Sequence, residues 1–170
     1  MKLLGLDPGL RITGWGVVEA DGNNLSHIAD GALKIDARGS LAERLAALYE
    51  GLQQVLNLHR PDEAAVEETF VNRNPASALK LGQARGVVLL APAAFGIPVA
   101  EYPANVVKKS VVGVGHADKR QIDAMVRMLL PGCAAATPDA ADALAVAICH
   151  GHHMSTRRHW SAGETAEARR

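Results

Sequence analysis

Short apolar runs bounded by turn-forming residues are the first pattern along the chain. They predict five strands, over residues 2–6, 13–20, 25–35, 63–70 and 97–103. Residues rich in Gly, Pro, Asp and Asn separate the first three runs, and the DGNN sequence between the second and third is typical of a hairpin. The first three strands are therefore expected to pair as hairpins.

Apolar residues at helical spacing form the second pattern. A Ser40–Glu43 capping box opens a helix with a leucine stripe, and further helices are predicted over residues 75–95, 119–130 and from Pro138 to about residue 150. Residues 104–118 are mixed and include a loop. Because the later strands alternate with helices, the chain is predicted to be an α/β protein. Its five-stranded mixed sheet would be antiparallel at one side, continued by parallel crossovers and flanked by helices.

The composition is that of an ordinary globular protein. The chain has 170 residues, is 48% hydrophobic and 21% charged, and carries no net charge, which suits one domain. We assign residues 1–150 to that domain and residues 151–170, which lack periodicity, to a flexible tail. No apolar run is long enough to span a membrane. Cys133 and Cys149 are predicted to be free thiols in a reducing cytosol, so a cytoplasmic location is expected.

The charges are unevenly distributed along the chain. Residues 1–70 carry five more acidic than basic side chains, and residues 71–120 carry five more basic than acidic ones. This split fits an acidic centre beside an anion-binding surface, although solvated faces alone also produce such a split.

Carboxylates at two strand ends and on the last helix form the candidate site. Asp7 ends the first strand and Glu67 lies at the end of the fourth, so both lie at one edge of the sheet if these strands are parallel neighbours. Asp139 and Asp142 are three residues apart and share one face of the last helix. Clustered oxygen ligands favour Mg²⁺ or Mn²⁺ over zinc, and two such ions ~4 Å apart are a common arrangement for phosphoryl transfer.

The same residues also permit a structural interpretation. Asp7 is compatible with a turn, Glu67 with a solvated strand end, and Asp139 with the first turn of a helix, where negative charge is favoured. Asp142 is not explained in this way, because it lies beyond the first turn among apolar residues. A buried carboxylate in that position needs a partner.

Four stretches of the sequence resemble the signature blocks of the RuvC family of bacterial Holliday-junction resolvases. They are LGLDPGLRITGWGVV, VEETFVNRNPASALKLGQARG, VKKSVVGVGHADKRQ and PDAADALAVA, and together they span roughly residues 1–150 in the family's order. The resemblance implies a ribonuclease-H-like fold and a homodimer. It also implies hydrolysis of DNA at four-way junctions, with two Mg²⁺ per active site and Mn²⁺ able to substitute.

The resemblance further implies how the reaction serves the cell. Two opposed strands would be nicked symmetrically to give 5′-phosphate and 3′-hydroxyl ends, which a ligase can seal during DNA recombination and repair. Contact with the branch-migration proteins RuvA and RuvB is implied in the same way.

Site residues are carried over from the family position by position. The catalytic carboxylates and metal ligands of the family match Asp7, Glu67, Asp139 and Asp142. Catalytic lysines near the scissile phosphate, which also contact DNA, match Lys108 and Lys119. Further DNA contacts match Phe70, Arg73 and Asn74, with Phe70 at the position of an aromatic that meets the opened junction centre. Glu68, which points to the opposite face from Glu67, matches no ligand.

Several alternatives remain at this point. Phe70 fits a core position as well as base stacking, and the helix over 75–95 fits a buried core helix as well as part of a dimer interface. The GLDPGLRITG turn also resembles the first phosphate loop of actin-like ATPases, and a non-catalytic junction-binding module is a third interpretation. The CHGHHM sequence over 149–154 suggests zinc, but its spacing matches no standard finger.

Overall fold

The computed structural model describes residues 1–9, 11–68 and 74–167, with side chains described through residue 155. Five strands are assigned: β1 (Lys2–Asp7), β2 (Ile12–Asp21), β3 (Asn24–Lys34), β4 (Glu63–Glu68) and β5 (Val99–Pro103). Five helices are assigned: α1 (Leu41–His59), α2 (Pro75–Phe95), α3 (Ala104–Val112), α4 (Lys119–Leu129) and α5 (Pro138–Glu167).

The five strands form one mixed sheet in the order β3-β2-β1-β4-β5. Strands β1, β2 and β3 pair antiparallel, whereas β4 runs parallel to both β1 and β5. The parallel pairs require crossover connections, which α1 and α2 provide. The predicted fold class, a five-stranded mixed sheet flanked by helices, is confirmed.

Alternating side chains divide the core into two layers, one on each face of the sheet. Leu4 and Leu6 of β1 pack with α1 and α2 on one face, in a layer that also contains Leu48, Leu52 and Val88. Leu3, whose side chain points to the opposite face of the sheet from that of Leu4, packs with α3, α4 and α5. Every odd-numbered side chain of β1 is thereby directed toward the α5 face.

Helix α5 lies directly against the backbone of β1 and β2, because glycines replace side chains at the contact. A Cβ atom on Gly5 would lie 2.0 Å from the Ala143 carbonyl oxygen, and one on Gly14 would lie 2.0 Å from the Asp139 carbonyl oxygen. The facing side chains on α5 are also small, Ala143 and Ala147 among them, and both are buried. Small residues on both sides let the helix axis approach the sheet more closely than ordinary side chains allow.

Side-chain caps begin the helices where the sequence predicted. Glu43 N donates to Ser40 Oγ at 3.3 Å and Ser40 N donates to Glu43 Oε2 at 2.7 Å, which confirms the predicted capping box of α1. Thr137 Oγ1 accepts a hydrogen bond of 3.1 Å from Ala140 N at the start of α5.

Two elements differ from the sequence prediction. Helix α3 lies within residues 104–118, for which the sequence predicts a mixed stretch. It is nine residues long and contains four valines, a residue type with low helix propensity. Burial of Val107 and Val111 stabilises the helix. The last helix, predicted to end near residue 150, continues to Glu167. Packing explains part of this extension, since Gly151 is buried beside Leu25.

Both cysteines are free thiols buried in the core. Within the described residues, no helix is long and apolar enough to cross a membrane.

The glycine contact between sheet and helix can be tested by a single methyl group. We expect Gly5→Ala to lower the free energy of unfolding by about 3 kcal/mol, because the new Cβ would overlap the backbone of α5. Gly115→Ala is the matched control: its Cβ would have no neighbour closer than 3.7 Å, so a change of about 0.5 kcal/mol or less is expected. Urea denaturation of both variants measures the difference. Equal stability of the two variants would contradict the close approach.

Candidate active site

Two carboxylates meet at the carboxyl ends of the parallel strands β1 and β4. Leu6 pairs with Val66 in the parallel register, so the next residues along each strand, Asp7 and Glu67, are neighbours at the sheet edge. Both lie one position beyond a side chain of the α1–α2 face and therefore point to the α5 face. Strand pairing alone thus brings together two acids that are 60 residues apart in the sequence.

Three helices complete the cleft around this pair. Asp142 comes from α5, Lys108 from α3 and Lys119 from the first position of α4. Together with Asp7 and Glu67 they line a cleft of about 260 Å³, whose apolar wall includes Val107 and Ile122. Lys119 Nζ donates to Asp142 Oδ2 at 2.9 Å, which supplies the partner that Asp142 needs. Since the Lys119 side chain is 77% exposed, this ion pair adds little stability and remains free to rearrange.

The electrostatics of the cleft show a shortage of positive charge. Burial, followed by the charges of Glu67 and Asp142, raises the pKa of Asp7 from 3.8 to about 8. Burial also raises the pKa of Glu67, although a hydrogen bond with Asp7 and the charges of Lys108 and Lys119 oppose that shift. The hydrogen bond to Asp142 raises the pKa of Lys119, which stays protonated. Two lysines therefore compensate only part of the negative charge.

Asp139 lies one turn before Asp142 on α5 and is half-buried. It does not line the cleft, but its charge contributes to the raised pKa of Asp7. The structure therefore brings three of the four predicted carboxylates into the cleft and leaves the fourth at its margin. Glu68 is exposed, as expected for a side chain on the other face of β4.

The predicted DNA-contacting loop is only partly described. Phe70 and Arg73 lie outside the described residues, so the choice between stacking and core packing for Phe70 stays a prediction. Asn74 is exposed and caps helix α2, since its Oδ1 accepts hydrogen bonds from Ala76 N at 3.0 Å and Ser77 N at 3.3 Å.

A second cleft, of about 380 Å³, adjoins the first and was not predicted from the sequence. It shares Lys119 and Asp142 with the acidic cleft and adds Arg120, Arg127 and Thr137. Arg127 also contacts Asp123 at 3.2 Å. A signal was present in the sequence, because arginines seven residues apart on a helix share a face.

The histidines of the CHGHHM sequence contact side chains of other elements. His150 is 1% exposed, with Nδ1 2.9 Å from the Tyr102 hydroxyl and Nε2 3.0 Å from Glu63 Oε2. His152 Nδ1 lies 3.2 Å from Ser110 Oγ, and His153 stacks on Tyr102. These contacts join α5 to β4, β5 and α3. Within the described residues the histidines of this sequence form no group with the spacing of metal ligands, so its zinc interpretation is wrong.

The acidic cleft has a donor set that fits a hard divalent cation. Asp7, Glu67 and Asp142 offer only carboxylate oxygens, the ligands that Mg²⁺ prefers. Burial and the neighbouring carboxylates raise the pKa values of Asp7 and Glu67 although two lysines lie nearby, which is the electrostatic environment that a bound cation would relieve.

Comparison with known proteins gives the family. The model of the family described as crossover junction endodeoxyribonuclease RuvC matches residues 3–150. The chain belongs to the RuvC family. Its members are crossover junction endodeoxyribonucleases, so the protein is a nuclease with a ribonuclease-H-like fold. The interpretation as an actin-like ATPase is therefore excluded.

Similar proteins cover nearly the whole chain. The RuvC of Paramagnetospirillum magneticum is 64% identical over 93% of this chain and 95% of its own length. The RuvC of Rhodospirillum rubrum is 65% identical over 91% and 92%, respectively. The structure of Thermus thermophilus RuvC in complex with Holliday junction substrate superposes with a TM-score of 0.84 at 34% identity, covering 92% of this chain and 96% of that one.

The raised pKa of Asp7 predicts how stability depends on pH without metal. The folded protein binds the Asp7 proton up to about pH 8, whereas the unfolded chain releases it near 3.8. The free energy of unfolding therefore decreases as the pH rises from about 3.8 to about 8, and it stays at the lower value above pH 8. We expect Asp7→Asn in EDTA to require more urea for unfolding than wild type at pH 8, with the difference vanishing near pH 4.

Glu68→Gln is the control for this measurement, because Glu68 is the exposed neighbour of Glu67 and should leave the pH dependence unchanged. If Asp7→Asn and wild type had parallel stability curves from pH 4 to pH 8, the assignment of a buried, proton-binding Asp7 would be wrong.

Proposed function

We propose that the protein resolves four-way DNA junctions by Mg²⁺-dependent hydrolysis of phosphodiester bonds. The observation that carries the proposal is the convergence of Asp7, Glu67 and Asp142 with Lys108 and Lys119 in one open cleft. Its similarity to a RuvC structure bound to a Holliday junction supports the choice of substrate.

The carboxylates of the cleft hold the metal in this proposal. Asp7, Glu67 and Asp142 would be ligands, and Asp139, one turn away on the same helix, would complete the set. A pair of Mg²⁺ ions held there would supply an activated water and stabilise the charge on the leaving 3′ oxygen. Lys108 and Lys119 stabilise the charge that develops on the scissile phosphate. The Lys119–Asp142 ion pair is exposed enough to open when DNA enters.

The DNA strand continues from the acidic cleft into the adjoining one. Arg120 and Arg127 offer guanidinium groups that can bind phosphates in a bidentate manner. Because Lys119 and Asp142 line both clefts, these phosphates would be close neighbours of the scissile one. Further DNA contacts are proposed for Phe70, Arg73 and Asn74, which follow β4 in the sequence. Phe70 follows Glu67 by three residues and would stack on an unpaired base at the junction centre.

A homodimer gives each of two opposed strands its own active site. A four-way junction has approximate two-fold symmetry, which a C₂ dimer matches. One face of α2 supports this assembly: Leu79 and Leu90 are 66% and 58% exposed, and a Cβ atom added to Gly82 or Gly86 between them would have no neighbour within 4 Å outside the helix. These four positions share one helical face, and small residues between apolar ones allow close helix approach.

The proposed products and partners follow from this reaction. Paired nicks with 5′-phosphate and 3′-hydroxyl ends are ligatable, which suits DNA recombination and repair in the cytoplasm. A RuvA–RuvB complex that moves the branch point is the expected partner.

The central prediction concerns Asp7. We expect Asp7→Asn to reduce cleavage of a labelled mobile four-way junction by on the order of a thousandfold or more, because a metal ligand at the reacting phosphate is lost. Junction binding, which depends on cationic contacts, should be retained or strengthened. Cleavage on a denaturing gel and binding by fluorescence anisotropy, each with Mg²⁺ or EDTA, measure the two effects.

Glu68→Gln and a linear duplex serve as the controls. The proposal predicts ligatable, paired nicks on the junction alone, with Glu68→Gln equal to wild type. Tight junction binding without cleavage by wild type across several junction sequences would instead favour a non-catalytic binding module.

The α2 face predicts the oligomeric state. Leu90→Glu places a charge in the proposed interface and should yield the 17.9 kDa monomer by light scattering, whereas wild type is expected to have twice that mass. Leu58→Glu, which changes an exposed leucine of α1, should leave the dimer intact. A dimeric Leu90→Glu or a monomeric wild type would contradict this interface.

A further inference from the structure

A cluster of three different metal-binding side chains lies away from the acidic cleft. His27 and Asp30 come from β3, and Cys133 comes from the connection between α4 and α5. One potential ligand atom from each residue lies within 4.8 Å of the others. None of the three lines the acidic cleft, and the family signature stretches contain none of them.

A β-bulge brings the two strand residues to the same face. His27 and Asp30 are three positions apart and would point to opposite faces of a regular strand. The pairing with β2 shifts register here, since Val17 pairs with Ala29 and Val18 with His27, so Ile28 is an extra residue. Bulges of this kind redirect side chains and are enriched beside functional sites. Cys133 packs in the core layer on that face.

The cluster is already ordered and largely shielded from water. His27 Nε2 lies 2.8 Å from Asp30 Oδ1, and these side chains are 24% and 6% exposed. Asp30 Oδ2 accepts a hydrogen bond of 2.7 Å from Ala136 N. Metal-ligating carboxylates commonly have such an outer hydrogen bond, which orients the ligand oxygen. The partial exposure of His27 leaves a route for an ion to enter.

We propose that His27, Asp30 and Cys133 bind a transition-metal ion of the Zn²⁺ class, with water as the fourth ligand. An imidazole nitrogen, a carboxylate oxygen and a thiolate sulfur form a donor set that suits Zn²⁺ and that Mg²⁺ avoids. Binding would release the thiol proton of Cys133 to solvent and leave a thiolate. It would also replace the hydrogen bond between His27 and Asp30, because the imidazole nitrogen that ligates the ion carries no proton.

The position of this site gives it a consequence for the nuclease centre. Cys133 is four residues before Thr137, the cap of α5, and α5 carries Asp142. Without metal, the Asp30–Ala136 hydrogen bond joins β3 to this connection. A metal bridge between β3 and Cys133 anchors the connection covalently to the sheet and so restrains the start of α5. Metal binding at this site therefore stabilises the geometry of the acidic cleft.

Cobalt titration of the full-length protein tests the proposal in Mg²⁺-containing buffer under reducing conditions. Co²⁺ bound by a thiolate has a charge-transfer absorption in the near ultraviolet, which oxygen ligands in the acidic cleft do not produce. We expect this absorption to saturate at one Co²⁺ per chain and to disappear when Zn²⁺ is added. Cys133→Ser should abolish it.

Three matched variants separate the possible outcomes. Cys149→Ser, at the other buried cysteine, and Asp7→Asn, in the acidic cleft, should keep the absorption. His27→Asn serves as a second test if Cys133→Ser fails to fold, because asparagine keeps a hydrogen-bonding side chain at this position. It should weaken Co²⁺ binding at least about tenfold. No thiolate absorption in folded wild type, or an absorption that survives in Cys133→Ser, would overturn the site. Both results are independent of DNA cleavage, so the proposed junction resolution at the acidic cleft is tested separately.

Discussion

The packing of α5 against glycines of β1 and β2 is the contact on which the active-site geometry depends. Gly5 and Gly14 leave room for the helix backbone itself, and a Cβ at either position would overlap a carbonyl oxygen of α5. This contact determines how far Asp142 lies from Asp7 and Glu67, which the sheet alone positions. A helix held at ordinary side-chain distance would carry its carboxylate away from the strand ends. The small residues on both sides of the contact therefore determine the geometry of the acidic cleft as well as the packing of the core.

Close packing also brings buried carboxylates together, which raises their pKa values. Burial of Asp7 beside Glu67 and Asp142 raises the pKa of Asp7 to about 8, so the metal-free protein holds a proton where a cation is proposed to bind. The lysines compensate in part, and Lys119 is exposed enough to exchange Asp142 for a phosphate. Such a cluster lowers the stability of the free protein and favours binding of a cation, as is common where function requires buried charge.

The two faces of the sheet serve different purposes. The α5 face carries the acidic cleft, the arginine-lined cleft beside it, and the proposed metal site at His27, Asp30 and Cys133. The opposite face is covered by α1 and α2, and α2 exposes an apolar stripe to solvent. This separation would let the proposed dimer form through α2 while the acidic cleft of each subunit stays open to DNA. The proposed metal site lies where β3 meets the connection to α5, so it acts on the cleft through the same helix.

The sequence by itself determined the fold class, the five strands and the residues of the acidic cleft. Those features rest on local signals: alternation in strands, caps such as Ser40 and Thr137, and long signature stretches. It did not determine α3, whose valines disfavour an isolated helix, or the continuation of α5 past residue 150, part of which packs around Gly151. Tertiary packing also places Asp139 at the margin of the cleft, joins the CHGHHM histidines to β4, β5 and α3, and brings His27 close to Cys133. Each of these features depends on contacts between distant segments. The proximity of His27 to Cys133 also depends on the β-bulge in β3, and hydrophobic periodicity in a single sequence does not reveal a bulge.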